Sequence, residues 1–190
     1  SQLDLDMSTE VNKGLCIDKA GKVTFSSQGG TVDGAISITS TNQVTMKKFK
    51  NAETGQITID ASGQVKVEKA QKTVISGAID IQTPDQVTLD TLTDVSAGAI
   101  DIDADKQVKV VLNRSSITDD ITVDTEKQVT IEMTNSSIDG TVTIDSQSQV
   151  DVTLNNSSIQ GDLNITTPSE ITISDCSAVE GEVTPQSACS

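Results

Sequence analysis

Apolar residues return along this chain in a fixed frame. One row runs through Leu3, Val23, Val44, Val65, Val87, Val108, Val129, Val150 and Ile171, at steps of 20 to 22 residues. Two residues on, a companion row is apolar throughout: Leu5, Phe25, Met46, Val67, Leu89, Val110, Ile131, Val152 and Ile173. Eight to nine residues after the first row comes a third, Val11, Val32, Ala52, Val74, Val95, Ile117, Ile138, Ile159 and Val179. A second pair closes each unit, from Leu15/Ile17, Ile36/Ile38 and Ile57/Ile59 to Val142/Ile144 and Leu163/Ile165. Alternation of period two predicts short strands with one face in and one out, and no segment sustains the 3.6-residue period of a helix.

A unit with two three-residue strands cannot bury its apolar side alone, but stacking the units sets valine on valine and isoleucine on isoleucine in continuous columns. About nine coils at ~4.8 Å each make a rod of ~43 Å. Just before the second pair lies a glycine row, Gly14, Gly34, Gly55, Gly77, Gly98, Gly140, Gly161 and Gly181, with Asp119 as its one substitution. This row is expected to mark a corner that needs a positive φ, which glycine adopts freely and Asp better than most residues. A polar tetrapeptide such as Asp103–Lys106 or Asp124–Lys127, with Pro84 and Pro168 at the same place in their own repeats, is expected to make the other turn. The pattern resembles the parallel β-helix, or β-solenoid, architecture over residues 3–183. The expected fold is therefore all-β and single-domain, with the solenoid over 1–183, residues 1–13 as an N-terminal coil or cap, and 184–190 as a C-terminal cap or tail. Unequal faces and the handedness preference of parallel crossovers predict a right-handed coil.

Composition then narrows the function. Of the 190 residues 28 are acidic and 13 basic, giving a net charge of −15, and 34% are hydrophobic. There is no His, Trp or Tyr, with two Phe and a single arginine, Arg114. A narrow core one column wide needs no more apolar residues than this. The chain has no imidazole base or zinc ligand and almost no stacking surface. Right-handed β-helices often carry polysaccharide lyase or hydrolase sites, which use carboxylates with Lys or Arg between long loops. These coils are nearly uniform, and an enzyme is not expected. The acidic balance argues against nucleic acid, and no apolar run approaches a membrane span. A start at Ser1 without Met or an apolar leader fits a mature form or a piece cut from a longer chain, from which any secretory signal would already be missing.

The residues that face outward define the candidate surfaces. Gln43, Gln64, Gln86, Gln107, Gln128 and Gln149 precede the first valine of successive coils and are expected to stack as an amide ladder. Between the two valines the outward row is Thr24, Thr45, Lys66, Thr88, Lys109, Thr130, Asp151 and Thr172; the second strand adds Thr58, Thr122 and Thr143. Regular outward Thr ranks resemble those of β-solenoid antifreeze proteins, so these threonines are candidate ice-binding residues, although charged residues interrupt both rows. Asp101, Asp103, Asp124 and Asp145 fall close together over three coils. Two carboxylates ~5 Å apart in water repel by ~0.8 kcal/mol. Weak Ca²⁺ binding would relieve that cost, and no other cofactor is expected. Asn113, Asn135, Asn155, Asn156 and Asn164 begin N-x-S/T triplets, which would carry glycans in a eukaryotic secreted protein.

Charge is also unevenly placed along the chain. Lys47, Lys48, Lys50, Lys66, Lys69 and Lys72 lie on one arm of two adjacent coils, while residues 128–190 hold nine acidic and no basic residues. Chance drift between coils would give such unevenness; the functional alternative is a contact patch for an acidic partner or for the acidic end of another rod. Cys176 and Cys189 are expected to close a cap disulfide in an oxidising compartment, with Cys16 too distant to pair with either. These expectations converge on a non-catalytic, secreted or cell-surface scaffold or adhesin. Its partners would be a surface glycan, a protein, ice or further copies of itself.

Overall fold

The computed structural model describes residues 2–7 and 10–189 and is a stack of about nine parallel β-coils. The V-x-V segments form the first face: Gln2–Met7, Lys22–Gln28, Val44–Lys50, Val65–Val67, Val87–Ala97, Val108–Asn113, Val129–Thr134, Val150–Asn155 and Ile171–Ile173. The I-x-I segments form a separate nine-stranded sheet, the second face, running from Leu15–Lys19 to Val183–Thr184. Two-residue strands such as Ser116–Ile117, Ser137–Ile138 and Ser158–Ile159 make a third, narrow face. This third face joins the first in one 15-stranded sheet. Pairing is parallel and in register from coil to coil: Val108 stands on Val129, Val129 on Val150, Ile121 on Val142 and Val142 on Leu163.

Stacking buries the predicted columns. Val23, Val44, Val65, Val87, Val108, Val129 and Val150 are all 0% exposed. Each parallel step repeats the same side chain ~4.8 Å along the rod, so β-branched residues pack on their own kind. Beyond the V-x-V pair runs a further inward column: Met7, Ser27, Phe49, Ala70, Leu92, Leu112, Met133 and Leu154. In the coils headed by Val44, Val65 and Val87, three residues separate this column from the one before it, against two elsewhere. The extra residue enters where Phe25 pairs Met46 but Ser26 pairs Lys48, and it leaves between Leu89 and Leu92. Those three coils thus carry a stacked β-bulge on the first face.

The bulge moves the third row away from its expected positions. Thr54, Ile75 and Ala97 fill that column, not Ala52, Val74 and Val95. Val74 points outward, 47% exposed, while Ala52 and Val95 lie inside at the corner one step earlier. The glycine row differs as well. Left-handed backbone occurs at Gly29, Asn51, Lys72, Asp94, Arg114, Asn135 and Asn156, the corner between the first and third faces. The glycine row serves clearance instead. A Cβ on Gly161 would lie 2.5 Å from the Gly140 carbonyl oxygen, closer than atoms can approach.

The polar tetrapeptide turns are tied from within. Ser40, Thr83 and Ser146 are buried at the end of the second-face strand, and each hydroxyl donates to a carbonyl of the preceding coil's turn: Gly21 at 2.7 Å, Gly63 at 2.8 Å and Lys127 at 2.8 Å. Each also accepts the N–H two residues ahead, from Asn42, Asp85 and Ser148. Thr125 and Thr167 repeat the arrangement. In these five turns one hydroxyl satisfies groups that the turn would otherwise leave unpaired, whereas Ala61 and Ala104 hold the same inward place in the coils between.

The last coil is closed by two 3-10 helices, Cys176–Ala178 and Gln186–Cys189, joined through the Cys176–Cys189 disulfide with Cα atoms 5.8 Å apart. The second of them lies against the end strands Ile171–Ile173 and Val183–Thr184. Cys16 is an exposed free thiol on the second face. Among the described residues no helix is long and apolar enough to cross a membrane.

Candidate functional site: a polar groove along the rod

The left-handed corner and the third face together form a groove of about 980 Å³ that follows the rod from Asp94 and Arg114 to Asp175 and Ser177. Three consecutive repeats of the same local sequence build it: Arg114-Ser115-Ser116, Asn135-Ser136-Ser137 and Asn156-Ser157-Ser158. The first residue takes the positive φ, which Asn tolerates because its short amide can bond locally. The first serine turns inward as a bridge between coils. Its Oγ accepts the N–H of the coil before: Val95 to Ser115, Ser115 to Ser136 and Ser136 to Ser157, each at 3.1 Å. It then donates to a nearby carbonyl, for Ser115 that of Leu92 at 2.8 Å. The second serine, Ser116, Ser137 or Ser158, is half-buried on the groove surface.

Asparagines line one rim. Asn156 Nδ2 donates to Asn135 Oδ1 at 2.6 Å, a short amide ladder along the corner. The Asn and the first Ser of each triplet thus make the corner, while the second Ser faces the groove and Asn135 and Asn156 remain exposed. At the far end Arg114 grips Asp94 with two parallel bonds, Nε to Oδ1 at 2.8 Å and a terminal nitrogen to Oδ2 at 3.1 Å. That bond, with the guanidinium charge, holds the Asp94 carboxyl below the usual carboxylate range. Asp175 accepts from the N–H and hydroxyl of Ser177. What the groove offers is a set of hydroxyl and amide groups repeated at the coil spacing.

The expected glutamine ladder forms in two runs. Gln43 donates to Gln64 at 3.1 Å and Gln64 to Gln86 at 3.4 Å; then Gln107 donates to Gln128 at 3.4 Å. Gln86 turns to Thr88, while Gln128 and Gln149 both turn to Asp151. An outward neighbour, the Thr88 hydroxyl in one place and the Asp151 carboxylate in the other, competes for the amide and breaks the ladder.

The threonine rows are not one surface. Thr24 and Thr45 are buried, 6% and 3% exposed, so they offer nothing to a partner, contrary to their place among the expected binding residues. Thr88 and Thr130 are half-buried and Thr172 exposed, separated by Lys109 and Asp151. On the second face Thr122 and Thr143 are exposed and paired in register, whereas Thr58 is followed by Asp80 and Asp101 in the same column.

The aspartates do come together. Asp103, Asp124 and Asp145 stand on one another in adjacent coils, and Asp101 lies between Asp80 and Thr122. Partial desolvation, then the charges of Asp80 and Asp103, push the Asp101 carboxyl above its usual value. The column is stepped rather than convergent: among the described residues no three carboxylate, Cys or His groups gather as metal ligands.

No protein family, curated protein or solved structure matches the chain.

Proposed function

We propose that the chain is a non-catalytic, extracellular or cell-surface scaffold that adheres through the regular polar rows of a rigid β-solenoid. The observation that carries this reading is the groove. Its hydroxyls and amides are held in register by cross-coil hydrogen bonds, so a hydroxyl-rich ligand lying along the rod meets the same donors and acceptors at each coil. The Cys176–Cys189 disulfide supports an oxidising compartment, and the acidic surface supports solubility there.

The test is retention of the purified chain on insoluble cellulose, chitin and β-1,3-glucan, beside a variant with Ser137→Arg and Ser158→Arg in the groove. Retention of the native chain with loss in the folded variant supports the reading. Passage of both through every matrix would sink its adhesive part. Ice binding is the second reading, favoured by Thr122 and Thr143 standing in register on the second face. Thermal hysteresis in a solution of the chain decides it, and its absence at about millimolar concentration eliminates it. For the aspartate column, a calcium titration that releases no heat and leaves the melting temperature unmoved removes the cation.

A further inference from the structure

The stacked bulge on the first face coincides with the lysine arm. Lys47 is the residue that the bulge inserts, and Lys48, Lys69 and Lys72 are exposed beside it in the same two coils. A bulge of this kind re-aims side chains away from the sheet. Among the described residues Lys47, Lys48, Lys50, Lys69 and Lys72 make no ion pair; only Lys66 does, with Glu68. The opposite half of the rod is uncompensated in the other sense. Among the described residues, Glu132 alone of the nine acidic residues over 128–190 makes an ion pair, with Lys109.

We propose that the lysine ridge docks the acidic C-terminal coils of a second copy of this chain, giving an antiparallel side-by-side dimer. The spacing is self-complementary. Val44 and Val65 head the ridge coils, and Val129 and Val150 head the coils that carry Glu132 and Asp151 on the same first face. Both pairs of coils lie two steps from the midpoint between Val87 and Val108, ~10 Å in either direction. A two-fold axis through that midpoint, perpendicular to the rods, sets each ridge on the partner's Glu132 and Asp151, which would exchange or share their bonds to Lys109, Gln128 and Gln149 with the ridge lysines. Such an interface is isologous and closed, so it ends at the dimer. The net charge of −15 opposes association at long range, but salt near 0.1 M screens beyond ~10 Å and leaves close opposite charges in force.

Sedimentation velocity of the full chain over a concentration series tests this. At about 0.1 M salt the native chain is expected to form a dimer that dissociates near 1 M. The double variant Lys47→Glu with Lys69→Glu is expected to be monomeric, and so is Glu132→Lys with Asp151→Lys. In an equimolar mixture one half of the contact is native and the other is charge-reversed, so both halves are complementary and the dimer is expected to return. Circular dichroism melting checks that each variant is folded, and Lys47→Gln with Lys69→Gln replaces the first if its melting is altered. A native chain that stays monomeric, a dimer indifferent to the reversals, or a mixture that fails to pair overturns the proposal. A monomeric native chain retained on heparin would assign the ridge to a polyanion instead and overturns it equally.

Discussion

Ser27 occupies a place in the core column that Phe49, Leu92, Leu112 and Leu154 fill in other coils, and its hydroxyl is buried at 1% exposure without a hydrogen-bond partner. A buried unpaired hydroxyl costs about 1–3 kcal/mol. Ser27→Ala is therefore expected to stabilise the rod by about 1 kcal/mol in urea unfolding, and an unchanged or lower midpoint would show that the hydroxyl is satisfied. Two carboxylates give stability opposite signs of pH dependence. Asp101 has a raised pKa in the fold, so the folded state holds its proton more tightly and the charged form is destabilising above that pKa. Asp101→Asn should raise the melting temperature at pH 7 and change little once the pH falls below about 3, where native and unfolded chains are both protonated. Asp94 has a lowered pKa from its bond to Arg114; its contribution is present above the unfolded pKa and is lost as the pH falls through the folded one. Asp94→Asn should lower the melting temperature at pH 7 and leave it unaltered in strong acid. The pairing of Asp94 with Arg114 was beyond reach of the sequence, because the bulge sets Asp94 seven residues after Val87 while Arg114 lies six after Val108, so the repeat frame does not put them in one column.

At the scale of elements, position along the coil was easier to read than the reason for a residue being there. The glycine row is plain in the sequence. Spacing alone does not distinguish a need for positive φ from a need for room, and the structure assigns the row to room. The left-handed corner stayed hidden because Gly29, Asn51, Lys72, Asp94, Arg114 and Asn135 share no side-chain class. Gly161 gives a direct test. Its Cβ would strike the backbone of Gly140 and Thr141, which cannot rotate aside, so Gly161→Ala is expected to cost about 1–3 kcal/mol in chemical unfolding. Asp119 in the same row shows that one coil accommodates a Cβ, and a cost near zero at Gly161 would mean the stack can open equally well there. The third row was misplaced for an allied reason. One inserted residue per coil leaves the repeat length near 21 while shifting every inward position beyond it, so Val74 read as core and lies in solvent.

For the whole molecule, the stack of about nine coils was legible because each coil states the same pattern. The groove was not, because it arises where the left-handed corner meets the third face and no single segment encodes a concavity. Stability in such a stack is divided among coils and their neighbours, so the disulfide guards one end rather than the whole. Closing a loop over the 13-residue separation of Cys176 and Cys189 is worth up to ~3 kcal/mol by chain entropy. Reduction is expected to lower the melting temperature and to speed amide exchange in Ile171–Ile173 and Val183–Thr184 while Val108–Asn113 stays protected. Equal acceleration in all three strands would mean that the rod melts as one unit.

The hydroxyl that ties a polar turn to the turn before it, at Ser40, Thr83, Thr125, Ser146 and Thr167, lies wholly within two successive coils and asks nothing of the third. A duplicated coil would bring its own tie, its own glycine clearance and its own apolar columns, and would leave its neighbours as they were. Length is thus a quantity that this architecture can change in whole ticks of one coil, as on a ruler, with the same groove continued across each new division.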